Sequence, residues 1–341
     1  MKKKFTIRDV AKKAGLSLST ISLVLNNKGY VSDANKQKIL SIIKELDYHP
    51  QRSARGLASQ LSGNIGFILT EDHFSQSEPF YTRIFLGTEF EARKHNYYIL
   101  LTTVGKNVKE TYEIPRFLLE HNVDGVIIAG KIGSSWIEYI SNKHIPFLLV
   151  DYVAPKVSNI TIDNRTGAEL VVQHFLRGGH KKIGFIGGDL RHPSIHERFA
   201  QYQSVLLAAG ITPSEQWYNV DQSNTTSSDG YEAAKKIFNS NDNKPTAIFA
   251  ANDAMAIGCM QYLKENGFRI PKDIAIAGFD NIEAGLHVEP RLTTVNVHRE
   301  EMGSLAVRRI VEMVKEKNGV VTKTITPVEL VVRDSCGIRM D

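Results

Sequence analysis

The sequence predicts an α/β protein in which a small all-helical head precedes a larger body built on parallel β-sheets. In residues 1–61, apolar side chains recur at the spacing of amphipathic helices. In residues 62–341, short apolar runs alternate with helical stretches. This βαβα order is typical of parallel sheets with helices on both faces. A body of this length favours two lobes over one.

The first helix of the head is predicted to begin after Thr6 and to end at Gly15. Thr6 is a candidate N-cap, and Asp9 three residues later makes a near match to a capping box. Gly15 is typical of a helix C-terminus. A second short helix is expected over residues 17–25. Two helices joined by a turn that contains glycine form the helix-turn-helix pattern of DNA-binding proteins.

The outer face of the second helix carries most of the residues that we predict to contact DNA. Hydroxyl and amide side chains there suit phosphate oxygens, which position a protein on the duplex. Leu23 points away from the predicted core and suits a thymine methyl group in the major groove. The predicted DNA contacts of the head are Thr6, Ser17, Leu18, Ser19, Thr20, Ser22, Leu23, Asn26, Ser32 and Tyr48.

A third helix, from the expected N-cap Ser32 to near Tyr48, completes the predicted head, whose charge favours DNA as a partner. Residues 1–61 contain twelve Lys or Arg and four Asp or Glu, which gives that segment a net charge of +8. The whole chain carries +5, so residues 62–341 carry −3. Attraction to phosphate is therefore concentrated at one end of the chain.

The stretch after Pro50 is predicted to be a conditional helix. An apolar stripe at helical spacing continues through residues 54–61, but the segment is shorter than the isolated helices that persist in water. Paired across a dimer, Leu57 could insert between base steps of the minor groove, with Arg52 and Arg55 on phosphates. A plain linker is the alternative interpretation.

The predicted domains are the head at 1–49, the hinge helix or linker at 50–62 and the body at 63–341. The seam between two lobes is expected near residues 159–166. The N-terminal lobe would comprise about 63–161 plus 292–323, and the C-terminal lobe about 162–291 plus 324–341. The segments 292–297 and 324–332 are interpreted as strands that return across the seam.

Polar side chains at the ends of predicted body strands form a candidate binding site. Asp151, Asn252 and Asp280 each follow a buried apolar run, and Arg198 begins a helix after a glycine loop. Ligands of open parallel sheets bind beyond the carboxyl ends of the strands. Carboxylates, an amide and a guanidinium in one cleft suit a polar or polyhydroxylated small molecule. Each residue alone could instead be a helix cap.

Other classes of protein fit the sequence less well. The nucleotide-binding, metalloprotease and serine-hydrolase motifs are absent, so an enzyme is not predicted. His192 and His196 are four residues apart, but Pro193 and the lack of a third ligand argue against a metal pair. The first residues lack the apolar segment of a signal peptide, and no apolar run is long enough to span a membrane. Two cysteines indicate no disulfide framework.

These motifs together resemble the lactose-repressor (LacI/GalR) family of bacterial transcription regulators. The similar segments are 6–11, 17–26, 31–32, 46–50, 55–58, 123–127, 179–180, 251–256 and 278–281. The resemblance implies a homodimer whose second helices enter successive major grooves of a near-palindromic double-stranded DNA operator. It also implies a body shaped like a periplasmic sugar-binding protein, with effector contacts at Asp151, Arg198, Asn252 and Asp280.

Two residues depart from that pattern. Family members commonly have an arginine at the position of Leu23, which leaves the operator sequence open. Arg299 stands near the cleft where some relatives have an aromatic residue, which leaves the identity of the effector open.

The sequence thus predicts a cytoplasmic, dimeric DNA-binding repressor without a cofactor, controlled by a small molecule, most simply a sugar or sugar derivative. Control by a protein corepressor and control by a non-sugar metabolite such as a nucleobase are the alternatives.

Overall fold

The computed structural model describes residues 5–25, 29–48, 61–71, 80–105, 114–239, 243–316 and 320–337. The chain divides into two compact units, residues 1–63 and residues 64–341. Each is described by itself. Among the described residues, no helix combines the length and the apolar character needed to cross a membrane.

The first unit contains the three predicted helices, α1 (Ile7–Ala14), α2 (Leu18–Leu25) and α3 (Asp33–Glu45). The capping box is confirmed, because the Asp9 N–H bonds to the Thr6 side chain and the Asp9 carboxylate accepts from the Thr6 N–H. Gly15 ends α1 with φ +68°, a left-handed conformation that glycine adopts without a steric cost. The helices enclose a small core formed by Val10, Ala11, Ala14, Ile21, Val24, Ile39, Ile42 and Tyr48.

The N-terminal lobe of the body is built on a six-stranded sheet in the order β11-β5-β4-β3-β1-β2, with all strands parallel. Its strands are β1 (Asn64–Thr70), β2 (Tyr98–Val104), β3 (Gly125–Ala129), β4 (Phe147–Val150), β5 (Ser158–Ile162) and β11 (Lys323–Thr326). Its helices are α4 (Phe80–Lys94), α5 (Arg116–Leu119), α6 (Ser134–Asn142) and α12 (Arg299–Glu316).

Close packing of α12 on α4 places α12 in this lobe, although its sequence follows the strands of the other lobe. The two helices touch at glycines. A Cβ on Gly303 would lie 2.0 Å from the Ile84 carbonyl oxygen, and a Cβ on Gly87 would lie 1.9 Å from the Glu300 carbonyl oxygen. Only glycine permits this separation of the two backbones.

The C-terminal lobe has a second six-stranded sheet in the order β12-β10-β9-β8-β6-β7. Its strands are β6 (Ile183–Ile186), β7 (Tyr218–Asn219), β8 (Ala247–Ala250), β9 (Ala275–Asp280), β10 (Thr293–Val297) and β12 (Val328–Val331), and only β12 is antiparallel to its neighbour. Its helices are α7 (Asn164–Arg177), α8 (Pro193–Ala208), α9 (Ser227–Asn239), α10 (Asp253–Glu265) and α11 (Ala284–His287).

The structure corrects the predicted lobe boundaries at the end of the chain. Segment 292–297 was expected in the N-terminal lobe, but β10 pairs with β9 and β12 in the C-terminal sheet. The single strand expected over 324–332 is two strands: β11 joins the N-terminal sheet and β12 the C-terminal sheet, with Pro327 between them. The chain therefore crosses between the lobes after β5, after β10 and at Pro327.

Candidate functional site

The surface of the head presents most of the residues predicted to contact DNA. Ser17, Ser19 and Thr6 are exposed, and Thr20 and Ser22 are half-buried. Ser17 precedes α2 and accepts a hydrogen bond from the Thr20 N–H (3.1 Å), as an N-cap residue does. Its hydroxyl also lies 2.6 Å from the Ser19 hydroxyl. These groups form a polar cluster at the start of α2.

Two leucines of α2 stand out from this surface because they are exposed. Leu18 is 45% exposed and Leu23 is 37% exposed, whereas Ile21 and Val24 of the same helix are buried. The Leu23 side chain lies against Gly29, whose Cβ position would be 3.2 Å from the leucine Cδ2. Leu23 is therefore held from one side and leaves an apolar surface on the other, which suits the predicted contact with a methyl group.

The remaining described head residues with a predicted DNA contact are Tyr48 and Ser32. Tyr48 is only 7% exposed and belongs to the head core, and its contact with DNA stays a prediction. Ser32 is exposed and precedes α3, but its side chain makes no capping hydrogen bond. The predicted contacts Asn26, Arg52, Arg55 and Leu57 lie outside the described residues.

The body contains a cavity of about 1030 Å³ that is lined by both lobes. All four residues predicted to bind an effector line it, namely Asp151, Arg198, Asn252 and Asp280. Further lining residues come from the N-terminal lobe (Thr70, Phe80, Tyr81, Lys131, Ile132 and Gly133) and from the C-terminal lobe (Asp189, Arg191, His192, Ser194, Ile195 and residues 223–226). The volume suits a small polar molecule.

Asp151 follows β4 and links the two lobes through hydrogen bonds. Its backbone adopts φ +55°, which is uncommon outside glycine. The carboxylate accepts one hydrogen bond from the Tyr81 hydroxyl (3.0 Å) and one from the Ser194 hydroxyl (2.9 Å). Tyr81 belongs to the N-terminal lobe and Ser194 to the C-terminal lobe. Burial, with the nearby Asp151 charge, raises the pKa of Tyr81 well above its usual value, so its phenol stays a donor.

Arg198 projects from α8 into the centre of the site and is only 3% exposed. Its Nε donates to the Asn164 side-chain oxygen (2.8 Å), and one terminal nitrogen donates to the Ala251 carbonyl oxygen (2.6 Å). The guanidinium lies over the Phe279 ring, 3.6 Å from the ring centroid. Burial lowers the pKa of Arg198, while Asp280 and Asp151 act in the opposite direction. These contacts fix the orientation of the guanidinium.

Asp280 lines the cavity with a buried carboxyl group that is only partly satisfied by hydrogen bonds. Its Oδ1 lies 3.8 Å from an Arg198 nitrogen, beyond hydrogen-bond range, and finds no hydrogen-bond partner among the described residues. The backbone of Asp280 adopts φ +106°. Burial raises the pKa of Asp280 to about 7, although Arg198 and Arg299 lower it. The group is therefore poised between a carboxylate and a neutral acid near neutral pH.

Asn252 is a helix cap that also lines the cavity. Its side-chain oxygen accepts from the Met255 N–H (2.8 Å) and caps α10, and its side-chain nitrogen donates to the Thr225 carbonyl oxygen (3.0 Å). It also lines the cavity. Asp253 does not line it: its carboxyl accepts from the Thr294 hydroxyl (2.5 Å) and the Ile282 N–H (2.8 Å). Arg299 donates to the Asn281 carbonyl oxygen (3.0 Å), beside the site.

Sequence reasoning missed several residues of the cavity. Tyr81 and Phe80 lie in the first turn of a helix, where nothing in the sequence distinguishes them from core residues. Ser194 and His192 follow the loop after β6, and His192 caps α8 through its Nδ1, which accepts from the Ser194 N–H (3.3 Å). Burial lowers the pKa of His192, which favours the neutral ring. The sequence signal that could have identified Ser194 and His192 is that their loop follows the end of a predicted strand.

The fold and the site define a two-lobed binding protein joined to a helix-turn-helix head, which is the architecture of a ligand-controlled DNA-binding regulator. Residues 6–51 match the model of bacterial regulatory proteins of the lacI family, and residues 172–336 match a periplasmic binding protein-like domain.

Relatives with the same architecture cover almost the entire chain. The HTH-type transcriptional repressor PurR of Vibrio vulnificus (strain CMCP6) is 30% identical over 334 residues, which is 97% of this chain and 98% of the relative. PurR of Pasteurella multocida (strain Pm70) is also 30% identical, over 98% of this chain and 99% of the relative.

Solved structures agree with these sequence matches. The lac repressor dimer bound to operator and the anti-inducer ONPF superimposes with a TM-score of 0.80 at 26% identity, covering 98% of this chain and 99% of that one. A complex of the transcriptional regulator CelR with cellobiose gives 0.73 at 26% identity, covering 97% and 99%. The chain belongs to the lacI family and is a DNA-binding transcriptional regulator. Members of this family are regulators and not enzymes.

Proposed function

We propose that the protein is a repressor whose affinity for a near-palindromic operator is controlled by a sugar or sugar derivative bound between the lobes of its body. It acts as a homodimer in the cytoplasm, where its target DNA lies. The effector binds one arrangement of the lobes more tightly than another, and this difference shifts operator affinity.

The observation that carries the proposal is the set of acceptors at the bottom of the cavity. Asp280 presents a buried oxygen without a hydrogen-bond partner among the described residues, and Asp151 presents a carboxylate whose partners are two hydroxyl groups. A molecule with several hydroxyl groups satisfies both, because each hydroxyl donates to a carboxylate and can accept from Arg198. Burial makes an unmatched acceptor costly, so the site favours a ligand that donates.

The aromatic lining supports the same class of ligand. Phe80 and Tyr81 line the cavity, and their rings lie edge to face at 5.0 Å between centroids. The apolar face of a sugar ring packs on such side chains, while its hydroxyl groups reach the polar bottom of the site. The similar regulator CelR has been solved with cellobiose, a sugar.

A thermal-shift screen of the full-length protein tests the class of effector. The panel contains neutral sugars, sugar phosphates, nucleobases and nucleosides. A ligand that binds the folded state raises the unfolding temperature with concentration. A nucleobase that stabilises the protein while every sugar fails would establish the non-sugar alternative, and stabilisation only by a protein from the same cell would establish the corepressor alternative.

Substitution then links the ligand to the cavity and to the operator. Arg198→Ala removes the buried guanidinium from the cavity. We expect the calorimetric signal of effector binding and the response of operator affinity to effector to be lost. Operator affinity in the absence of effector should be retained. Asp273→Asn is the matched control, because Asp273 lies in the same lobe and outside the cavity lining. A normal titration in Arg198→Ala would refute the assignment of the cavity.

A further inference from the structure

A group of charged side chains at the rim of the cavity joins the two lobes. Lys131 follows β3 in the N-terminal lobe, and Asp189 follows β6 in the C-terminal lobe. The Lys131 Nζ lies 3.1 Å from the Asp189 Oδ2. Arg191 holds the other carboxylate oxygen from within the C-terminal lobe, through its Nε (2.8 Å) and its backbone N–H (2.9 Å). One carboxylate is thus positioned by its own lobe and reached by a cation from the other.

The topology places this ion pair away from the three chain crossings. The crossings leave from or enter β5, β10, β11 and β12, which lie at one end of each sheet. β3 is two strands from β5, and β6 is three strands from β10. A hinge motion about the crossings therefore separates Lys131 and Asp189 by more than it separates groups beside the hinge. A contact far from the hinge therefore resists opening more than an equally strong contact beside the hinge.

We propose that Lys131 and Asp189 form an ionic latch that holds the cleft closed at its mouth, so that salt concentration and the effector together set the fraction of closed bodies. The latch rests on the proposed function, because it assigns a control to the same cleft. Its test uses no effector, and a failure of the latch leaves the effector screen unaffected.

The Lys131–Asp189 pair should be sensitive to salt, while the charge of Asp189 should not change near neutral pH. Arg191 and then Lys131 hold the pKa of Asp189 well below its usual range, so the carboxylate stays ionised at neutral pH. The side chains are 38% and 22% exposed. Solvent and ions therefore screen the attraction in part. An exposed ion pair of this kind should change the equilibrium between the open and closed cleft by roughly two- to fivefold.

The latch has a consequence for binding. Both partners line the effector cavity, so a closed latch narrows the entrance while the site is empty. It slows entry of the effector and also slows its escape once the effector is inside. The latch controls the rates of exchange more than the choice of ligand.

Distance measurement between the lobes tests the latch in the full-length protein. Both native cysteines are buried, so nitroxide labels can be placed selectively at Ser141→Cys in α6 and Lys235→Cys in α9, both at exposed positions. Mixing the labelled protein with an excess of unlabelled protein leaves one labelled protomer in most homodimers. Pulsed electron paramagnetic resonance then reports the distribution of inter-lobe distances at low and high NaCl. The latch variants are Lys131→Met and Lys131→Glu. Arg116→Met is the control, because Arg116 pairs with Glu120 inside one lobe.

At low salt we expect the labelled parent to be mostly closed, and salt should raise its open population by roughly two- to fivefold. Lys131→Met should show the larger open population already at low salt and respond little to further salt. Lys131→Glu should open further, because it places like charges together. Identical distributions in the parent, Lys131→Met and Lys131→Glu overturn the proposal, and so does a parent distribution that does not change with salt. The salt titration of the parent needs no substitution, so a variant that fails to fold leaves the proposal testable.

Discussion

Effector affinity should depend on pH through Asp280. Its Oδ1 is buried and has no hydrogen-bond partner among the described residues, and burial raises its pKa to about 7. A ligand hydroxyl that donates to this oxygen prefers the carboxylate over the neutral acid. The bound complex therefore favours the ionised form, and binding lowers the pKa of Asp280. Affinity should be full well above pH 7 and should fall as the pH drops through 7.

The size of the effect follows from the fraction of ionised Asp280. With a pKa of about 7, roughly nine-tenths of the groups are ionised at pH 8 and roughly one-tenth at pH 6. If only the ionised form binds, the dissociation constant rises about tenfold between pH 8 and pH 6, which is about 1.4 kcal/mol. A ligand that also accepts from the neutral acid gives a smaller change.

Isothermal titration calorimetry from pH 6 to pH 8, with an effector that does not itself titrate, measures this change. Asp280→Asn removes the ionisation while keeping the shape, so its affinity should vary little with pH. Asp273→Asn leaves the cavity intact and should keep the parental slope. An affinity of the parent that is constant over this range would refute the assigned role, and so would an Asp280→Asn slope equal to that of the parent.

Four other outcomes are expected. Leu57→Ala should weaken operator binding in fluorescence anisotropy and leave effector affinity intact, because the proposed wedge in the minor groove is lost; unchanged operator binding would count against the wedge. Operator affinity should fall steeply with salt because several phosphates are neutralised; a flat response contradicts the electrostatic interpretation. Leu101→Glu should favour monomers in sedimentation, since Phe90, Tyr98 and Leu101 are exposed on α4 and on the edge strand β2; an intact dimer would place the interface elsewhere. Gly303→Ala should lower the free energy of unfolding by about 1–3 kcal/mol in urea, because the added Cβ meets the α4 backbone; full stability would show that the helices can separate.

The local features of the head could be predicted from sequence because their causes are local. The capping box of Thr6 and Asp9 and the left-handed Gly15 depend on residues within one helix turn, and the structure confirms both. The burial of Tyr48 could not be predicted, because it depends on the packing of three helices, which helical periodicity does not report.

In the body, the order of strands and helices was easier to predict than membership of the lobes. The sequence of β10 predicts a buried strand, but its pattern does not specify the strand with which it pairs. The sequence therefore could not assign β10 to one of the two sheets. Asp151, Asn252 and Asp280 could be predicted as cavity residues because each follows a predicted strand. Ligands of parallel sheets bind beyond the carboxyl ends of the strands. Tyr81 and Ser194 come from helices of different lobes, and only the folded chain brings them to one carboxylate.

Neither lobe of the body is a continuous piece of the chain. The N-terminal lobe receives α12 and its edge strand β11 from residues 299–326, after nearly all of the C-terminal lobe has been made. During synthesis its sheet stays incomplete until β11 emerges from the ribosome. Nascent chains that stall before this point expose the edge of β5 and the surface of α4 that α12 covers, and open strand edges and uncovered apolar surfaces are the features that promote aggregation.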